Sequence, residues 1–179
     1  AALGTPAAAA PDTAALEGYL RDALSVSLRY ESNHGLRSFD AEMGHLTIDP
    51  GQPVESRRFQ LAHQMAALGL KDEIASVIEG ARLNSAASRQ LLFVGLCNYA
   101  AGALLMPYRR FRSEARSVRH DIDRLAQAFG TSFEQACHRL STLQREDAKG
   151  VPFFFCRVDM AGNITKRHSA TRLQFARFG

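Results

Sequence analysis

The chain has 179 residues, 46% of them hydrophobic and 22% charged, with a formal net charge of +4. That length suits one domain, or one domain with a small appendage, and the composition excludes a disordered, collagenous or disulfide-stapled chain. A mildly basic balance permits an anionic partner without naming one.

The alanine-rich start, Ala1 to Ala10 with Pro6 and Pro11, has neither a basic n-region nor the apolar core of a signal peptide, and is expected to be a linker over 1–11. Asp12-Thr13 can cap a helix running through Leu16, Leu20, Ala23, Leu24 and Leu28. Asn33-His34-Gly35 breaks the chain, and two strand-like stretches follow, Leu36 to Asp40 and His45 to Ile48. From Pro53 to about Leu70 the pattern is helical, with Phe59, Ala62, His63, Ala66 and Leu70 on one stripe; a second helix through Ile74, Val77 and Ile78 ends near Gly80. Ser88 to Met106 is the longest apolar helix, expected to be buried as the central core element and to stop at Pro107.

Tyr108 to Val118 reads as a short basic helix, and Asp121 to Phe129 and Ser132 to Leu143 as a helix pair joined at Gly130-Thr131. After Gly150-Val151-Pro152 the composition turns β-rich: a strand over Phe153 to Asp159, a turn at Ala161-Gly162-Asn163, then strands over Ile164 to His168 and Arg172 to Phe178. The expected class is α+β and mainly helical, with a strand pair near the N-terminus, a domain over 12–149 and a β-rich extension over 150–179. Because the chain lacks a starting methionine and stops within a strand-like alternation, it is expected to be a piece of something longer.

No apolar run reaches the roughly 18 residues of a membrane span. Cys97, Cys137 and Cys156 are far apart, lack C-x-x-C spacing and lie in apolar patterns. They are expected to be buried small hydrophobes in a reducing, cytoplasmic compartment.

The most informative segment is Arg57-Arg58-Phe59-Gln60-Leu61-Ala62-His63-Gln64-Met65-Ala66-Ala67. A zinc-peptidase helix carries H-E-x-x-H, two histidines four apart on one face with a glutamate as general base. Here His63 remains, but Gln64 takes the place of the base and Ala67 that of the second ligand. An amide has no useful basicity and a methyl group binds no cation, so neither a metal nor catalysis is expected.

Three stretches then match in order and spacing: Arg57 to Leu70, Asn98-Tyr99-Ala100-Ala101-Gly102 to Pro107, and Leu125 to Ser132. They resemble the helical peptidase domain of zinc proteases that cleave phage immunity repressors. The tail, Gly150-Val151-Pro152-Phe153-Phe154-Phe155 through Val158-Asp159 and Ala161-Gly162-Asn163 to Phe175-Ala176-Arg177-Phe178-Gly179, resembles the short-chain fatty acyl-CoA transcriptional regulators. In the peptidases an acidic ligand precedes the alanine-asparagine pair; the matching stretch here, Arg89 to Asn98, contains no acid.

The resemblance implies a degenerate zinc-metallopeptidase-like fold serving as the ligand-sensing domain of a bacterial regulator of propionate metabolism. Its effector would be a short-chain acyl-CoA such as propionyl-CoA, controlling DNA binding by a helix-turn-helix domain absent from this sequence. No cofactor and no membrane are expected, and a homodimer or homo-oligomer is left open.

Acyl-CoA carries a diphosphate and a ribose phosphate, so its site needs several Arg or Lys donors beside an apolar slot. The donors expected are Arg57 and Arg58 at the start of the motif helix, Tyr108 and Arg109 after the proline, and Lys166 and Arg167 on the tail strands. The former zinc cleft, opened at Ala67 and lined by His63, Met65, Tyr99, Leu104 and Met106, would be the slot. The rival expectation is a zinc-less pseudo-peptidase acting as a protein- or DNA-interaction module. The pair 121–143 has helix-turn-helix spacing, with Glu134, Gln135 and His138 at base-reading positions, although Glu134 would repel phosphate. His34, His45, His120, His138 and His168 share no spacing that unites them.

Overall fold

The structure, a computed structural model, describes residues 10–32 and 35–169. Most of the expected linker, His34 and the expected break at 33–35, and the strand 172–178 with the last tail residues therefore lie wholly or partly outside the described residues. By contacts the chain divides into two compact units, Ala1–Pro107 and Tyr108–Gly179. The β-rich stretch after 149 thus clusters with the helices from Tyr108 onward.

The first unit begins with α1, Thr13–Asp22, capped by the Asp12 carboxylate, which accepts from the Ala15 amide at 2.8 Å. This cap satisfies one of the four orphan donors of the first turn. The expected continuation through Leu28 does not occur. Ser25 sits at φ 54 and turns the chain, and Ser27–Tyr30 becomes strand β1. The i, i+4 leucine pattern continues into this segment, but pairing with a distant strand outweighs it. β2, Arg37–Asp40, and β3, His45–Ile48, coincide with the expected strand pair. The sheet order is β1-β3-β2, with β1 parallel and β2 antiparallel to β3, so β2 is an edge strand.

Next come α2, Val54–Gly69, α3, Lys71–Gly80, and α4, Ala86–Leu105. The core joins Leu16 and Leu20 of α1, Val26, Leu46 and Ile48 of β3, Leu61 and Ala62 of α2, and Ala101 and Leu105 of α4. Helix α4 corrects a second expectation. Its buried residues are Cys97, Ala101, Gly102 and Leu105, whereas Leu91 near its start is 74% exposed. A helix apolar on every face can use any of them, and here only the C-terminal half meets the core.

The second unit holds α5, Tyr108–Ser117, α6, Ile122–Phe129, α7, Phe133–Ser141, and a hairpin of β4, Phe154–Val158, and β5, Ile164–Ser169. Gly130 closes α6 in the left-handed region at φ 57, a conformation that costs any residue with a Cβ. Ser132 and Gln135 then form a capping box that starts α7. The hairpin turn is tied by Asp159, whose carboxylate accepts from the Ala161 and Asn163 amides. Cys97 and Cys137 are buried as expected; Cys156, on β4, is only half-buried.

Candidate functional site

His63 lies on the inward face of α2, 6% exposed, beside the buried Gln64. Its Nδ1 is hydrogen-bonded to a guanidinium nitrogen of Arg37, from edge strand β2. A guanidinium has no lone pair to offer. The imidazole must therefore accept at Nδ1 and carry its proton on Nε2. Burial first, and then the Arg37 charge, drive the His63 pKa down to about 4, so the ring is neutral at physiological pH.

Arg37 is half-buried, and burial pushes its own pKa down. The neighbouring titratable group is the Cys97 thiol of α4, itself buried and pushed up by burial, so it stays neutral and gives Arg37 no counter-charge. Among the described residues no carboxylate forms a salt bridge with Arg37. Strand β2, helix α2 and helix α4 thus bring Arg37, His63 and Cys97 to one place. A metallopeptidase would keep a dication on this histidine; here a side-chain cation leans on it. Among the described residues no three His, Cys, Asp or Glu side chains are grouped to hold a metal ion.

The other expected ligand-binding residues are distributed as follows. Arg57 is half-buried and its Nη1 donates to the Pro50 carbonyl at 3.3 Å. Arg58 spends two donors on the Pro11 carbonyl, Nη2 at 2.7 Å and Nε at 3.1 Å. Tyr99 is 43% exposed on α4, whereas Met106, expected to line the slot, is 1% exposed and belongs to the core.

In the second unit, Tyr108 is buried and its hydroxyl donates to the Ala148 carbonyl and accepts from the Arg145 amide, both at 3.0 Å. The guanidinium carbons of Arg145 and Arg139 lie 4.6 and 5.7 Å from its ring centroid, within cation–π range. Tyr108 is therefore a structural post of its unit. Arg109 and Arg167 are exposed, and Lys166 Nζ pairs with Glu134 at 2.6 Å.

That last pair bears on the helix-turn-helix alternative. Glu134 on α7 also receives Arg157 of β4 at 3.2 Å, so the hairpin engages one of the three expected base-reading positions. Gln135 is used in the capping box. A serine-histidine pair on the small sheet is equally unsuited to catalysis. His45 Nδ1 is bonded to Ser27 Oγ, while its Nε2 faces the Arg29 guanidinium at 3.2 Å. An arginine on Nε2 forces the proton onto Nδ1, so the ring donates to the serine instead of taking its proton.

Sequence reasoning missed Arg37. The available signal was its parity with Phe39 on β2, since alternate strand residues share a face; both are half-buried.

The fold and this site define a peptidase-like domain with Gln64 and Ala67 where a zinc helix carries its base and second histidine, and comparison with known proteins agrees on the domain. Residues 26–141 match the IrrE N-terminal-like domain family, and residues 142–179 match the C-terminal region of the short-chain fatty acyl coenzyme A regulators. The chain belongs to the IrrE N-terminal-like domain family, its residues 142–179 match the regulators' C-terminal region, and the relatives that follow are named as transcriptional regulators. A propionyl-CoA carboxylase regulator of Cereibacter sphaeroides is 48% identical over 96% of this chain and 39% of its own length. The HTH-type transcriptional regulator PrpR of Mycobacterium tuberculosis is 49% identical over 73% of this chain and 26% of its own. A solved Mycobacterium tuberculosis transcriptional regulator superposes with a TM-score of 0.84 at 40% identity, covering 89% of this chain and 50% of that one. The chain thus spans well under half the length of these curated relatives.

Proposed function

We propose that this chain is the effector-sensing part of a transcriptional regulator of short-chain acyl-CoA, and specifically propionate, metabolism. It binds a short-chain acyl-CoA, and that binding controls a helix-turn-helix domain elsewhere in the longer protein. The observation that carries this proposal is Arg37: a desolvated guanidinium, steadied by a neutral His63, with no carboxylate salt bridge among the described residues. A half-buried cation without a carboxylate is costly unless an anion arrives to answer it. Arg57, half-buried in the first turn of α2, adds a second donor where the helix dipole also favours anions. The apolar acyl end would enter where Ala67 and Met65, both half-buried, leave the former ligand side of α2 open. The short-chain fatty acyl coenzyme A regulators, whose C-terminal region the tail matches, support the ligand class through their name.

Calorimetry with propionyl-CoA tests this directly. Arg37→Met and Arg57→Ala should each weaken binding roughly 10- to 150-fold if the residue meets a phosphate, since a charge-assisted hydrogen bond is worth about 1.5–3 kcal/mol. One added methylene on the acyl chain should matter less, about 0.8 kcal/mol, until the slot is full. No heat from any acyl-CoA at millimolar concentration with folded protein would end the proposal.

A further inference from the structure

The second unit carries a charge pattern that an acyl-CoA site does not require. Helix α5 buries Tyr108, Phe111 and Ala115, spaced i, i+3 and i+7. Positions 109–119 contain five arginines, Arg109, Arg110, Arg112, Arg116 and Arg119, against one acid, Glu114. Two of the five are anchored within the unit: Arg110 stacks 5.2 Å over the Phe129 ring, and Arg112 Nε donates to the Lys149 carbonyl at 3.0 Å. Arg109, Arg116 and Arg119 are exposed and form no salt bridge with any described carboxylate. Of the nearby acids, Asp121 is already answered by Arg124 at 3.6 Å, and Glu114 is half-buried.

Arginines three and four apart on one helix repel each other, so this pattern works against the helix that bears it. Just beyond the helix, Arg119 and His120 both adopt left-handed backbone, at φ 55 and 62, a strained conformation for residues with a Cβ. Strain and unanswered like charge therefore coincide at one surface. Arg109 and Arg116 are seven residues apart, about 10 Å along the axis. Duplex DNA, which carries a negative charge about every 1.7 Å of its length, offers phosphates along the whole of such a face. The exposed side chains between the arginines are serines, Ser113 and Ser117. No Asn or Gln lies between Arg109 and Arg119 to read adenine edges.

We infer that the exposed arginines Arg109 and Arg116 of α5, with Arg119 just beyond its end, form a sequence-independent contact for the phosphate backbone of duplex DNA. It adds affinity beside a separate sequence-reading domain and is distinct from the effector site proposed above.

The test is fluorescence anisotropy of the 179-residue chain with a labelled duplex of arbitrary sequence, titrated at several salt concentrations. Binding is expected at low salt, with a log–log salt slope near −2.7 for three phosphate contacts at about 0.9 each. Arg116→Glu/Arg119→Glu should weaken binding at least tenfold and flatten the slope by about 1.8. The milder Arg116→Gln/Arg119→Gln should act in the same direction, and circular dichroism checks that both variants fold. Arg21→Glu/Lys71→Glu makes the same change in net charge at exposed positions of the other unit, and should leave DNA binding nearly intact. Equal loss in that control, no low-salt binding by the wild type, or unchanged binding by both α5 variants would each overturn the inference. So would loss of propionyl-CoA affinity in the α5 variants with DNA binding preserved, because the face would then belong to the effector.

Discussion

The Arg37–His63 contact makes the proposed effector site readable by proton titration. His63 is driven from an ordinary 6.5 to about 4 by burial and by the Arg37 charge. Above pH 6.5 the ring is neutral in folded and unfolded chains alike, and the shift has no effect on stability. Between 6.5 and 4 the unfolded chain takes up a proton that the folded one refuses, so stability falls as pH falls, and the loss levels off below 4. A shift of that size has a ceiling of about 3 kcal/mol, and screening by solvent at the cleft reduces it to about 2. Side-chain NMR of His63 gives its pKa directly, and urea unfolding at stepped pH gives the linked stability. In Arg37→Met the His63 pKa should rise yet stay below 6.5, because burial, the larger cause, persists. In wild-type protein, saturating propionyl-CoA should also raise it, since a phosphate at Arg37 cancels the charge that opposes protonation. A His63 pKa near 6.5 in the free wild type would refute the desolvated pair. An unchanged value in Arg37→Met would refute the contact itself.

Two further predictions concern stability. Gly130→Ala forces a Cβ onto left-handed backbone at φ 57 and should cost about 1–2 kcal/mol in urea unfolding; a loss within error would mean the α6–α7 turn adapts. Glu134→Gln removes the ion pairs to Lys166 and Arg157 and should cost about 0.5–1 kcal/mol, with faster amide exchange in β4 and β5. Burial pushes the Glu134 carboxyl up, but Lys166 and then Arg157 hold it below the usual range overall. Its contribution is therefore present above pH 4.5 and lost as pH falls below that; an acid profile identical in Glu134→Gln would refute the assignment.

Much of this protein was legible in local sequence. The periodicity of 53–70 and 71–80, the Asp12 cap, the glycine stop at Gly130 and the turn at Ala161-Gly162-Asn163 are short-range signals, and each corresponds to an element observed. The gaps at Gln64 and Ala67 also needed only the chemistry of the side chains.

What only the tertiary structure decided depended on segments far apart in the chain. The leucine spacing of α1 runs on through Leu28, yet that residue pairs with Leu46 in a parallel strand. Helix α4 is apolar all round, and the packing of its neighbours chose which half is buried. Arg37 meets a histidine 26 positions away, and Lys166 meets a glutamate 32 positions away. Period, caps and turns are properties of a few consecutive residues. Burial and desolvation exist only once distant segments exclude water together, and these turned an ordinary strand arginine into the centre of the proposed effector site.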